Sequence, residues 1–101
     1  MKIRIKSTKL DLTEALKNYI QEKMDMLEKY LGGVAVINCD FEVERVANSH
    51  NKGDVFRAEV NLQVPGSLLR VEKSEEAMYK AIDKVKSHME LIIKKYKEKR
   101  K

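Results

Sequence analysis

The stretch Val64-Pro65-Gly66-Ser67-Leu68-Leu69-Arg70-Val71-Glu72-Lys73-Ser74-Glu75-Glu76-Ala77-Met78-Tyr79-Lys80-Ala81-Ile82-Asp83 changes its hydrophobic period part-way along, and that change decides the fold. Up to Val64, the apolar residues Phe56, Ala58, Val60, Leu62 and Val64 alternate with Arg57, Glu59, Asn61 and Gln63, the pattern of a strand with one buried face. Pro65-Gly66 supplies a tight turn, because proline presets φ and glycine accepts the positive φ that follows. Leu69 and Val71 continue as a short strand. The period then becomes helical, with Ser74 as the expected cap and Glu75 and Glu76 complementing the helix dipole. Met78, Ile82, Val85, Met89, Ile92 and Tyr96 line one face of a helix reaching nearly to the C-terminus.

Upstream, Ile37, Cys39, Phe41 and Val43 alternate with polar residues, and the polar turn cluster at residues 48–53 joins this strand to the next as a hairpin. Earlier still, Asp11 or Thr13 caps a helix whose apolar residues Leu16, Ile20, Met24, Leu27 and Leu31 recur at spacings of three and four. This helix is expected to run about five turns, at 3.6 residues per turn, and to stop at Gly32-Gly33. Before it, Ile3 and Ile5 alternate with Lys2, Arg4 and Lys6 as a first short strand. The order is strand, helix, strand, strand, strand, helix. One wet sheet face requires both helices on the other, so the sequence predicts an α+β fold, a β-α-β-β-β-α two-layer sandwich. A parallel crossover around the first helix and antiparallel hairpins after it make the four-stranded sheet mixed.

With 101 residues and 43% hydrophobic content, residues 1–101 are expected to form a single domain with one core. The lone Cys39 excludes a disulfide within the chain and a zinc site built on several cysteines, and it fits a reducing compartment. There is no signal-peptide h-region and no run approaching the roughly 20 apolar residues of a bilayer span, so the expectation is a cytoplasmic protein with no membrane partner. His50 and His88 lack neighbours at metal-ligand or triad spacing. Gly32-Gly33 ends a helix instead of opening one, which excludes a nucleotide-cradling loop there. Cys39 alternates toward the core, where a thiol is inert. The chain reads as a binding protein, not an enzyme, with no cofactor, metal or small-molecule substrate.

The formal charge of +5 and a pI near 9.3 favour a polyanionic partner. On the wet sheet face, Lys2, Arg4 and Lys6 lie opposite Asp40, Glu42 and Glu44 and should largely cancel. The excess then sits on the second helix and its tail. At 100° per residue, Lys80, Lys84, Ser87 and Lys94 share the ridge opposite the apolar stripe, together with Leu91. That ridge is either a phosphate track or an ordinary solvated face. On the first helix, Lys23 shares a flank with Tyr19, Met26 and Tyr30, where its stem either presents an ammonium from the inter-helix groove or simply packs.

Several segments, in order, resemble the ribosome hibernation promoting factor family, also called ribosome-associated inhibitor or light-repressed protein. They are Leu12-Thr13-Glu14-Ala15-Leu16, Leu27-Glu28-Lys29-Tyr30, Pro65-Gly66-Ser67-Leu68-Leu69-Arg70-Val71-Glu72, Met78-Tyr79-Lys80-Ala81-Ile82-Asp83 and Lys95-Tyr96-Lys97. The resemblance implies a monomeric domain that binds the small ribosomal subunit and its ribosomal RNA where messenger and transfer RNA would lie, silencing translation under stress by steric occupancy. It implies RNA contacts at Lys17, Lys23, Lys29 and Lys95, to which the ridge geometry adds Lys80, Lys84 and Lys94. Tyr79 and Asp83, four residues apart on one flank, belong either to the RNA-side groove or to a polar contact between the helices. Met26 and His88 stand where the family often has Lys, and Leu91 where it often has Arg, which weakens the basic surface locally. Long-form relatives add a C-terminal domain that pairs ribosomes, so the chain is expected to be a short form or a truncated long form. Two other readings stay open: a stand-alone RNA-binding module resembling a double-stranded RNA-binding domain, and a protein interaction module.

Overall fold

A computed structural model describes residues 1–46, 53 and 55–100. Four strands, β1 (Arg4–Thr8), β2 (Asn38–Val46), β3 (Val55–Val64) and β4 (Ser67–Glu75), form one sheet in the order β1-β2-β3-β4. β1 runs parallel to β2, and the other two pairings are antiparallel, as the crossover and hairpins require. Val64 pairs with Ser67, so Pro65-Gly66 is the whole β3–β4 connection, and Gly66 takes the positive φ of 77° expected at the third position of a type II turn. The register aligns Ile5, Phe41, Val60 and Val71 as one inward row and Cys39, Leu62 and Leu69 as the next.

The helices close that inward face. Thr13, not Asp11, caps α1 (Glu14–Asp25): its side chain accepts from the Leu16 N–H at 3.1 Å. The expected five-turn helix is interrupted after Asp25. Leu27 N–H bonds to Met24 O and Tyr30 N–H to Leu27 O, three residues back instead of four, and a short α2 (Glu28–Leu31) follows. The interruption costs the core nothing, for Leu16, Ile20, Met24, Leu27 and Leu31 are all buried. Gly32 ends α2 at φ 59°, as the Gly32-Gly33 stop requires. The last helix, α3 (Met78–Lys99), buries Met78, Ala81, Ile82, Val85, Met89, Ile93 and Tyr96 against the sheet and the first helix layer. The Tyr96 hydroxyl donates to Pro65 O at 2.6 Å, tying the end of α3 to the β3–β4 turn.

Three local expectations are corrected. Ser74 does not cap α3, and Glu75 and Glu76 do not occupy its first turn; Ser74 pairs with Arg57 and Glu75 with Phe56 in the sheet, and α3 begins after Ala77 with no side-chain cap. The reason is the length of β3, which offers ladder partners to the chain all the way to Glu75 and outcompetes a local cap. On α3, Ile93 is fully buried and Ile92 only partly so. Ile37 extends the inward alternation of β2 by one step, yet it lies just before the strand and is 54% exposed. His50, the rest of the expected 48–53 turn apart from Gly53, and Lys101 lie outside the described residues.

Candidate nucleic-acid interface

The two faces of the molecule treat charge differently. On the open sheet face the strand register sets Arg4 beside Asp40 and Lys6 beside Glu42, with N–O distances of 2.7 and 3.8 Å. The same face carries a denser centre. Arg57, only 18% exposed, lies 2.6 Å from Glu42, 2.9 Å from Glu44, 3.2 Å from Glu72 and 3.8 Å from Glu59. Arg70 adds a contact of 2.5 Å to Glu59. Arg57 holds the Glu42 carboxyl below its ordinary range, chiefly by hydrogen bonding, and these carboxylates in turn raise the Arg57 guanidinium. The expected cancellation is present, but Glu44 is matched by Arg57 and not by a β1 residue; Lys2, ahead of β1, has no ion pair among the described residues. The alternation of Arg57 and Glu59 in β3 was the sequence trace of this network.

The helical face is organised around the groove between α1–α2 and α3. At one end, the Tyr19 hydroxyl donates to Asp83 Oδ1 at 2.5 Å, and Lys23 Nζ lies 3.3 Å from the same oxygen and 5.2 Å from the Tyr19 ring centroid. The Asp83 contact pushes the Tyr19 hydroxyl, a neutral donor at physiological pH in any case, up to about 12. Tyr19 and Tyr79 meet edge to face, with centroids 4.5 Å apart and planes at 87°. At the other end, Lys29 and Lys94 each sit 5.2 Å from the Tyr30 ring centroid, and Lys97 donates to Tyr30 O at 3.0 Å. Between them Lys86 pairs with Glu90 and holds that carboxyl below its usual range.

The residues singled out from sequence therefore divide into two groups. Lys29, Lys80, Lys94 and Lys95 are exposed and make no ion pair among the described residues, and Lys17 has only a 3.9 Å contact to Glu14. Lys23 and Lys84 are engaged, by Asp83 and by Glu75 at 2.5 Å. Asp83 forms the polar contact between helices that was one of its two readings, while Tyr79 remains 45% exposed. Met26, His88 and Leu91 are exposed on this layer too, and His88 and Leu91 line a shallow cleft with Lys80, Lys84 and Ser87. Sequence reading did not find the roles of Lys86 and Lys97, which depend on groups brought together by packing. Burial pushes the Cys39 thiol up to about 12, leaving it inert at neutral pH. Among the described residues, no group of three or more His, Cys, Asp or Glu is placed to hold a metal ion, and no helix is long and apolar enough to cross a membrane.

The family model described as Sigma 54 modulation protein / S30EA ribosomal protein matches residues 3–101. The chain belongs to this family. Two curated relatives, both named ribosome hibernation promotion factor, are similar to it: one from Deinococcus radiodurans is 32% identical over 87% of this chain and 44% of its own length, and one from Staphylococcus aureus is 30% identical over 96% and 48%. The chain spans about half the length of these curated relatives. The Thermus thermophilus Protein Y N-terminal domain superposes with a TM-score of 0.74 at 26% identity, covering 95% of this chain and 99% of that one. A Coxiella burnetii structure described as a ribosomal subunit interface protein gives 0.73 at 21% identity, covering 92% and 96%, and shares the fold. The four-stranded mixed sheet with its helical layer is thus the S30EA-family fold, and the resemblance noted in the sequence is that of the family itself.

Proposed function

We propose that this chain is a ribosome hibernation factor of the cytoplasm that acts as a monomer. Its helical face binds small-subunit ribosomal RNA in the channel used by messenger and transfer RNA, and occupancy alone blocks translation. The observation that carries the reading is the separation of charge. Arg4, Lys6, Arg57 and Arg70, the cations within the strands of the open sheet face that bear on its centre, are neutralised within the protein, with Lys2 ahead of β1 the exception on that side, whereas Lys29, Lys80, Lys94 and Lys95 stand together on the helical layer without ion pairs among the described residues. Such lysines can release condensed counterions from a phosphate backbone without first breaking an internal pair. Lys17 adds to them, while Lys23 and Lys84 reach phosphate only by exchanging a carboxylate for it. The names of the two curated relatives support ribosome hibernation as the process.

Co-sedimentation with purified small subunits at several salt concentrations tests this. Binding should fall steeply with salt, and Lys95→Glu should weaken it far more than Lys6→Glu, with the salt slope reduced by about 0.7–0.9 for each phosphate that is no longer neutralised. Absence of binding and of translation inhibition at low salt would sink the proposal. Equal losses in the two variants would remove the helical face as the contact surface, and equally tight binding to naked duplex RNA would favour the stand-alone RNA-binding module.

A further inference from the structure

We propose that Tyr79 is a stacking platform for one unpaired base, so that the helical face recognises a single-stranded segment of ribosomal RNA and not a duplex. The inference rests on the RNA-binding reading above and adds to it a contact that is not electrostatic. Tyr79 is the second residue of α3 and 45% exposed, and it lies outside the buried cluster, which Met78, Ala81 and Ile82 complete beside it. Core burial therefore does not account for the ring, whose packing within the fold is its edge-to-face contact with Tyr19. Its aromatic neighbour among the described residues is perpendicular to it, at 87°, so Tyr19 covers at most one face of the ring.

The support behind the ring is rigid. Tyr19 is fixed by its 2.5 Å hydrogen bond to Asp83, and Lys23 closes the same group at 3.3 Å from that carboxylate. A platform held in this way loses little side-chain entropy when a base settles on it. Lys80 is the next residue of α3, exposed and without an ion pair among the described residues; it projects about 100° round the helix from Tyr79, so its long side chain supplies a counter-charge to the backbone phosphates on either side of a stacked base and not to the base itself. A duplex hides its base faces within the stack, whereas an unpaired base offers a π-face to a tyrosine. Asp83 is on this account a positioning residue that never touches the RNA.

The test measures binding of the full chain to purified small subunits as a function of salt for Tyr79→Leu, Tyr79→Phe, Tyr79→Trp and Lys95→Glu, with thermal unfolding as a check on folding. Stacking predicts that Tyr79→Leu loses affinity on the order of tenfold or more with an unchanged salt slope, because every phosphate keeps its cation. Tyr79→Phe and Tyr79→Trp should bind within about twofold of the parent, since both keep a ring. Equal losses in Tyr79→Leu and Tyr79→Phe would mean a hydroxyl contact and overturn stacking. Full binding by Tyr79→Leu, with Lys95→Glu impaired, would overturn the platform and leave the basic face standing. Should neither variant differ from the parent, or the parent not bind at all, the RNA-binding reading falls and the platform with it.

Discussion

Arg57 is the residue on which the open sheet face depends, because four carboxylates lie within 3.8 Å of one guanidinium that is itself mostly covered. Removing it leaves Glu42, Glu44, Glu59 and Glu72 adjacent across three strands, with Lys6 still 3.8 Å from Glu42 and Arg70 still paired with Glu59 and Glu72. We expect Arg57→Gln to destabilise the protein at pH 7 by about 2 kcal/mol, between the values for exposed and buried pairs. The pH dependence follows from Glu42, whose folded-state carboxyl is held below its unfolded value chiefly by its hydrogen bond to Arg57. Its contribution is complete above the unfolded carboxylate range and disappears as pH falls through the folded value. The difference between parent and variant should accordingly begin to shrink as pH falls below the ordinary glutamate range and go on shrinking as the depressed Glu42 carboxyl takes up its proton. Urea unfolding of both proteins at a series of pH values from 7 downward measures it. A destabilisation that persists undiminished in acid would show that Arg57 acts through packing of its stem and not through charge.

At the scale of elements, two residues with equal capping chemistry have different fates. Thr13 accepts from the N–H of Leu16 and starts α1, whereas Ser74 lies in β4 opposite Arg57. Thr13→Ala should therefore cost about 1 kcal/mol, while Ser74→Ala, at an exposed strand position, should stay within about 0.5 kcal/mol. Comparable losses in chemical denaturation would contradict the helix boundary at Ala77. The contrast also shows what is legible in one sequence. Periodicity reports which face of an element is buried, so the α1 stripe, the three inward residues of β2 and the mixed topology can all be read from the chain. A cap is a competition between local and non-local hydrogen bonds, and Ser74 is decided by how far β3 extends on the far side of a hairpin. The same limit applies to the interface. That Lys80 and Lys94 are exposed follows from helical geometry, and Lys95 is named by the family resemblance, but the engagement of Asp83 with Tyr19 joins residues 64 apart in sequence, and no local pattern encodes it.

For the molecule as a whole, segregated charge has an energetic consequence that separates function from stability. Lysines retained for a partner repel one another in the free protein, whereas lysines that serve the fold are paired or packed. Lys80 and Lys95 make no ion pair among the described residues, and Lys17 approaches Glu14 only to 3.9 Å, a pair worth little in solvent. Lys29 and Lys94 are less suitable probes, since each lies over the Tyr30 ring and its removal sacrifices a cation–π contact of about 0.5 kcal/mol. The triple variant Lys17→Gln, Lys80→Gln, Lys95→Gln should thus unfold within about 0.5 kcal/mol of the parent at physiological salt. At low ionic strength, where screening no longer masks repulsion, it should be the more stable of the two, and the difference should vanish as the Debye length falls to about 3 Å at 1 M salt. Association with small subunits should weaken in the same variant, with a shallower salt slope. Thermal melts across salt, paired with sedimentation, decide the matter. A variant that weakens in stability and binding together would assign these lysines to the fold, whereas stability kept or raised while binding falls would assign them to the partner.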